Sequence, residues 1–427
     1  MLADKTESTP AKEGEHRSFF RQSGWLMATN IAGGALMWAV HFLSKKIPAG
    51  EYGNFGAFLA VVMVLPTIPL QMVMAQQTAR ALAQNRRGQL SGVIRLFAWG
   101  TLLVWAVGAV AVLVFQDQIL TLWKVASPTA LYLTLVIVLL SLWSPLTLGL
   151  LQGQQNFLWL GWTMMSNAVG RFVVAAFAVL VLHAYAAGML TGVLIGIVVG
   201  LGIGMWHTRR LWLTPPEPFD RRALREQLLP LVLGFLGFQI LFTADTMFVK
   251  AYFDEATAGF YIGAGTLSRA LMWLVLPLAA VMFPRMVHSA AKSEKSNLTS
   301  LVLAGTAILA IMGAGGLTIV GPWAVPFVFK PSFVDVATPL LPWYAGAMVP
   351  LAVANVMLND LLARPSSKLG FSICVFGLAL LYMFALTQFH ATLVTVPRVM
   401  GVFNLVFLGI CAWFTWAGKK GPETLSA

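Results

Sequence analysis

The chain has 427 residues, 58% of them hydrophobic and only 10% charged, with a mean hydropathy of +0.79, against about 25% charged in an ordinary soluble domain. These proportions exclude a soluble enzyme. The formal charge of +12 is dispersed through short connections between apolar blocks, with no basic amphipathic domain or recognition motif, so it reads as a topology signal and not as a nucleic-acid surface.

The first twenty residues, MLADKTESTPAKEGEHRSFF, are polar and mix acids with bases. They read as a tail over 1–21, without the features of a cleavable signal peptide. After them the apolar blocks have the length of helices that cross about 30 Å of hydrocarbon. The first six fall near 22–43, 53–75, 92–115, 128–151, 157–182 and 185–206, the last pair parted only by His183 and Ala184. A basic connection with a Pro-Pro turn signal, HTRRLWLTPPEPFDRRALREQ, follows over 207–227. Six more spans fall near 228–250, 258–284, 298–320, 339–360, 366–389 and 395–417, with Pro322, Pro326 and Pro331 between the ninth and tenth. A short tail over 418–427 completes the chain.

The expected fold is therefore an all-α, polytopic membrane protein of twelve transmembrane helices in two six-helix lobes, 22–206 and 228–417, joined by the linker 207–227. Lys and Arg test the orientation. One set of alternate connections holds twenty of the 28, including Arg209, Arg210, Arg221, Arg222 and Arg225 in the linker; the other holds only Lys45, Lys46, Lys124, Lys250 and Lys330. The positive-inside rule places both tails, and the linker, in the cytoplasm. A weak internal repeat relates the halves: PLxxVM at Pro69–Met74 recurs at Pro277–Met282, and Gly53-Asn54-Phe55 aligns with Gly259-Phe260-Tyr261. Repeated halves are how many transporters build a central site between two bundles.

Charges inside spans are costly, about 2.5–3.5 kcal/mol on insertion scales, so each needs a reason. Arg171 lies fourteen residues into the fifth span and Arg269 eleven into the eighth, depths of about 21 and 16 Å. Arg398 sits near the end of the twelfth span, where its head group can reach the interface. Thr163, Asn167 and Arg171 recur at every fourth residue and share one helical face. Thr266, Arg269 and Trp273 form a comparable stripe in the eighth span and Gln239, Thr243 and Thr246 one in the seventh; Asn30 lies in the first, Asn355 and Asn359 in the tenth. Such stripes either line a hydrated cavity or join helices by hydrogen bonds. Asp245, near the end of the seventh span, either couples an ion or pairs with an arginine. Deep guanidiniums favour an anionic ligand, phosphate or pyrophosphate first, because they fork onto phosphate oxygens and keep their charge.

Trp143, Trp159, Trp162 and Trp273 lie in or near the polar helices, where an indole can stack on a sugar or simply pack. The histidines never fall at metal-ligand spacing and Cys374 and Cys411 lie in apolar blocks, so no metal, cofactor or disulfide is expected. The sequence holds no GxxxxGK[ST], HExxH or GxSxG motif and no long external loop, which argues against an enzyme.

Three stretches, KKIPAGEYGNFGAF (45–58), LGLLQGQQNFLWLGWTMMSNAVGRFV (148–173) and DTMFVKAYFDEATAGFYIGAGTLSRAL (245–271), resemble the polysaccharide-flippase branch of the multidrug, oligosaccharidyl-lipid and polysaccharide (MOP) exporter superfamily. The last is the most specific, with an acid ending one helix and GxYxxA opening the next; in the first, Ala49 stands where that branch usually has a Gly-Pro pair. The resemblance implies two lobes in a V and alternating access. It implies translocation of a polyprenyl-pyrophosphate-linked oligosaccharide across a bacterial cytoplasmic membrane, with membrane lipids around a monomer and a polysaccharide polymerase as a further partner. Arg171 and Arg269, supported by Asn167, Thr163, Thr266, Trp273 and Asn30, are then the expected ligands of the pyrophosphate head. The alternatives are a multidrug/cation antiporter of the same superfamily, which would call for acids deep in the first half, and a membrane glycosyl polymerase or ligase, which would call for a large external loop.

Overall fold

The structure is a computed structural model that describes the backbone of residues 10–291, 298–363 and 368–417 and the side chains of 24–274, 300–363 and 369–416. Among these residues there is no strand. The first half contains α1 (Pro10–Ala39), α2 (Ala49–Val64), α3 (Thr67–Ala83), α4 (Arg87–Val114), the short α5 (Gln116–Leu122), α6 (Thr129–Gly153), α7 (Phe157–Leu180) and α8 (Tyr185–Leu213). The second contains α9 (Arg221–Tyr252), α10 (Glu255–Ala291), α11 (Leu298–Val328), α12 (Val334–Ala363), α13 (Lys368–Gln388) and α14 (Thr395–Ala417). Eleven spans among the described residues are long and apolar enough to cross a membrane, and the 37-residue α10 occupies the eighth position. The chain is a multi-pass membrane protein of two six-helix lobes, and its flanks, such as Trp99, Leu103, Val104 and Val107 of α4, expose large apolar side chains as a lipid solvent requires.

Two differences from expectation have local causes. The second span, expected as one helix over 53–75, is broken between α2 and α3. Pro66 has no N–H to continue the ladder and drives Leu65 to extended backbone (φ −60°, ψ 135°). The N–H of Thr67 turns to the Leu65 carbonyl, which leaves the Met63 carbonyl free; Gln239 of α9 donates its Nε2 to it at 2.6 Å. Irregular backbone inside a membrane protein needs such a partner. The prolines near the ninth and tenth spans act differently: α11 runs through Pro322 and Pro326 to Val328, and α12 starts at Val334, earlier than expected.

The tight turns rely on left-handed residues that are not glycine. Asn85, Lys124 and Gln155 have φ of 53°, 52° and 56°, and in each case the next N–H reaches back five residues, Arg86 to Ala81, Val125 to Leu120 and Asn156 to Leu151, closing the helix with a Schellman motif. His183, at φ 51°, makes the turn between α7 and α8. Asp254 caps α10, and its hydrogen bonds to Thr257 hold its carboxyl below the usual carboxylate range.

Within the first half, α8 carries glycine at every fourth residue from Gly188 to Gly204. That ladder seats α7: a Cβ at Gly196 would lie 2.4 Å from the Asn167 carbonyl oxygen and 2.8 Å from the Arg171 nitrogen. Small residues at this spacing let helix backbones close on one another in a membrane. Between the halves, α2 packs on α9 and α10, and α3 on α9. Gly53 and Gly259, the matched glycines of the internal repeat, meet at the end away from the linker: a Cβ on Gly53 would be 3.1 Å from the Gly259 nitrogen. At the same end Lys124 donates Nζ to the carbonyls of Ala251 (3.1 Å) and Phe253 (2.7 Å), a cation on the C-terminus of α9. At the linker end, Gln77 and Gln76 of α3 both bond to Gln227 of α9, the first at 3.0 Å. The second copy of PLxxVM, Pro277–Met282, has side chains outside the described residues.

Candidate functional site

Of the interior charges, Asp245 and Arg269 lie within the second half and Arg171 within the first. Arg269 projects from α10 into a closed set of partners. Its Nη2 donates to Asp245 Oδ1 and to Thr246 Oγ1, both at 2.7 Å, and its Nε to the Phe242 carbonyl at 3.0 Å. The guanidinium lies 5.6 Å from the Phe242 ring centroid and 5.4 Å from that of Tyr344. Asp245, fully buried, receives two further hydrogen bonds on Oδ2, from Tyr261 at 3.0 Å and from Tyr344. A buried carboxylate is tolerable only with its charge matched and its lone pairs occupied, and both conditions hold here. Of the two roles open to Asp245, the structure shows the ion pair. The same contact alters the reading of Arg269: its Nε and Nη2 are held by the protein, which makes it an anchor between α9 and α10, while its Nη1 makes no hydrogen bond among the described residues.

Arg171 is in the opposite condition. It is 8% exposed, its Nε is buried without a hydrogen-bond partner, and no described residue accepts from its other nitrogens. The glycine ladder of α8 holds the turn that carries it. α7 packs on the 3-10 turn Val40–Lys46, which carries His41, and the His41 ring lies edge-on to that of Tyr52 in α2. These two are linked, His41 Nδ1 to Tyr52 Oη at 2.8 Å, and Tyr52 Oη continues to Thr266 Oγ1 at 3.1 Å, across the boundary between the halves. Thr266 lies one helical turn before Arg269. A hydrogen-bonded chain thus runs from His41 through Tyr52 of α2 to Thr266 of α10.

The remaining expected residues are distributed less simply. Thr163 and Asn167 lie on the α7 face against α8, Thr163 buried with its hydroxyl unpartnered, so this stripe is the seam between two helices as well as the setting of Arg171. Asn30 is exposed and bonds to the Leu26 carbonyl of its own helix, and Trp273 is 63% exposed; the structure does not bring either to the arginines. Trp159 stacks on His207 at 3.6 Å and Trp162 packs near Trp25. Arg398 lies over the Trp343 ring at 4.0 Å. His41, Tyr52, Tyr261 and Tyr344 belong to the site and were not expected; three of these four are tyrosine hydroxyls near the core, a type that normally has a partner when buried, which is the signal that could have drawn attention to them.

The profile of the polysaccharide biosynthesis protein family matches residues 19–290, a span that includes η1, α2, α7 and the Asp245–Arg269 anchor. The chain belongs to this family. No curated protein matches it in sequence. Among solved structures it is similar to a multidrug resistance MATE family transporter of the MOP superfamily in an inward-facing conformation, with a TM-score of 0.71 at 12% identity over 90% of this chain and 95% of that one. It is also similar to the lipid II flippase MurJ in an inward closed conformation, with a TM-score of 0.67 at 13% identity over 93% and 87%. A MATE in complex with MaD5 gives 0.56 at 14% identity over 93% and 92%. At such identities the likeness concerns the fold. The chain thus shares its fold with these proteins.

Proposed function

We propose that this member of the polysaccharide biosynthesis protein family is a flippase that carries a polyprenyl-pyrophosphate-linked oligosaccharide across a cytoplasmic membrane by alternating access, for the building of surface polysaccharide. One observation carries the reading: Arg171 is a mid-span, buried guanidinium with no ion-pair or hydrogen-bond partner among the described residues. An unpaired buried charge costs stability, and a ligand that brings its own negative charge repays that cost only when it is bound. A carrier needs such a group, because cargo held by Arg171 displaces no internal partner, whereas the charge of Arg269 is already matched by Asp245. The lipid tail stays in the bilayer, and the excess of Lys and Arg at the linker end places both tails in the cytoplasm. The chain works as a monomer in this reading, with a polysaccharide polymerase downstream.

The antiporter reading calls for a buried acid free to exchange ions. Among the described residues Asp245 is the only buried acid, and it is bound to Arg269, Tyr261 and Tyr344. The test is translocation of a labelled polyprenyl-pyrophosphate sugar in liposomes. Arg171→Ala removes charge-assisted hydrogen bonds of about 1.5–3 kcal/mol, hence roughly ten- to more than a hundredfold in rate, while Arg171→Lys keeps the charge and retains part of it. Full transport by Arg171→Ala at normal membrane insertion would end the proposal.

A further inference from the structure

A cavity of about 140 Å³ opens at the linker end, between the last turn of α3, the first turns of α4 and the start of α9. It has room for several waters, and hence for a phosphate or diphosphate group. Arg80 and Arg86 line it; both are exposed, and neither guanidinium takes part in a hydrogen bond or in either of the ion pairs among the described residues. Gln84 and Gln89 add amide donors. The one acid in the lining, Asp220, turns its Oδ1 to the N–H groups of Arg222 (2.9 Å) and Ala223 (3.0 Å), where it caps α9. The N-terminus of α4 has no side-chain cap, and the Glu217 carboxyl lies against Gly88 there, offsetting the positive end of that helix.

We infer that this cleft binds a phosphate-bearing headgroup, separately from the mid-span site. Two guanidiniums without side-chain partners and two amide donors match the donor set that phosphate oxygens require. The cleft also belongs to both halves: Arg80, Gln84 and Arg86 come from the first, Phe219 and Asp220 from the run into α9. Gln77, on its wall, makes the bond to Gln227 that joins α3 to α9. A headgroup seated there bridges the halves at the linker end. Its source is either the diphosphate of a carried lipid before entry or an anionic phospholipid of the surrounding leaflet. The inference stands apart from the role of Arg171, since it is read by binding and not by transport.

The test uses the full chain in nanodiscs of phosphatidylcholine, with radiolabelled pyrophosphate as the probe. Wild type should bind saturably, Arg80→Ala/Arg86→Ala about tenfold or more weakly, and Arg80→Lys/Arg86→Lys in between, because lysine keeps the charge and loses the fork. The exposure of both side chains protects the fold in these variants. Discs containing phosphatidylglycerol separate the sources: weakened pyrophosphate binding by wild type assigns the cleft to a bilayer lipid, and unchanged binding assigns it to the diphosphate of a carried lipid. Pyrophosphate binding by the double alanine variant equal to that of wild type, or no saturable binding by wild type in phosphatidylcholine, overturns the inference.

Discussion

Asp245→Asn should be among the most destabilising substitutions in the second half, and more so than Arg269→Met. The asparagine keeps the shape of the side chain and an acceptor for Tyr261 and Tyr344, so the perturbation is almost purely the loss of charge beside Arg269. Removing one partner of a buried pair costs about 3–5 kcal/mol, since the other charge is left uncompensated. Arginine cannot escape this by releasing its proton. In Arg269→Met the abandoned group is a carboxyl, which can take up a proton and become neutral, so that variant should lose less. Asp245→Asn/Arg269→Met removes both charges together and should lie closer to wild type than Asp245→Asn alone, with a coupling of about 2–3 kcal/mol in the double-mutant cycle. Thermal and denaturant unfolding of the purified protein in one detergent measures all four species. Losses that simply add, with the double variant the least stable, would show that Asp245 and Arg269 act independently and refute the account of the anchor.

Gly259→Val should force α2 and α10 apart, because a Cβ there would lie 2.0 Å from the Ala49 carbonyl oxygen, an overpacking of about 1–3 kcal/mol; the check is a cysteine pair at positions 50 and 255, whose disulfide should form readily on the wild-type background and in lower yield with Gly259→Val. Gln239→Leu should leave the Met63 carbonyl without a donor in the break between α2 and α3, lowering stability by about 1–3 kcal/mol; unfolding measurements showing no loss would mean that water or another group serves that carbonyl.

The parts of the fold that depend on local composition were legible. Apolar block length and the alternation of basic connections gave the spans, and the cost of interior charge singled out Arg171, Arg269 and Asp245. The division of labour among these three was not legible, because it depends on how far each helix is rotated. Asp245 and Arg269 are separated by a turn between spans, and only the packing of α9 on α10 shows that they touch. Tyr344 completes that site from α12, about a hundred residues from Asp245, and no spacing rule connects them. Other signals were present and carried more than was read from them. Glycine at every fourth residue of α8 marks a close helix seam, and it explains why the polar stripe of Thr163, Asn167 and Arg171 is turned inward. Pro66 marked the break in the second span, but in a hydrophobic stretch of ordinary length a proline alone does not distinguish a kink from an interruption.

The two ends of the boundary between the halves are held by different physics. Away from the linker the contact is dry backbone against backbone at Gly53 and Gly259, reinforced by Lys124 on the carbonyls that end α9. At the linker end it is a set of glutamine amides, Gln76 and Gln77 against Gln227, in part-exposed positions. Water replaces an amide hydrogen bond at small net cost, about 0.5–1.5 kcal/mol each. It offers nothing comparable for close packing between glycines, which is lost outright when the surfaces separate. Opening toward the linker is therefore the less costly movement from the arrangement described here.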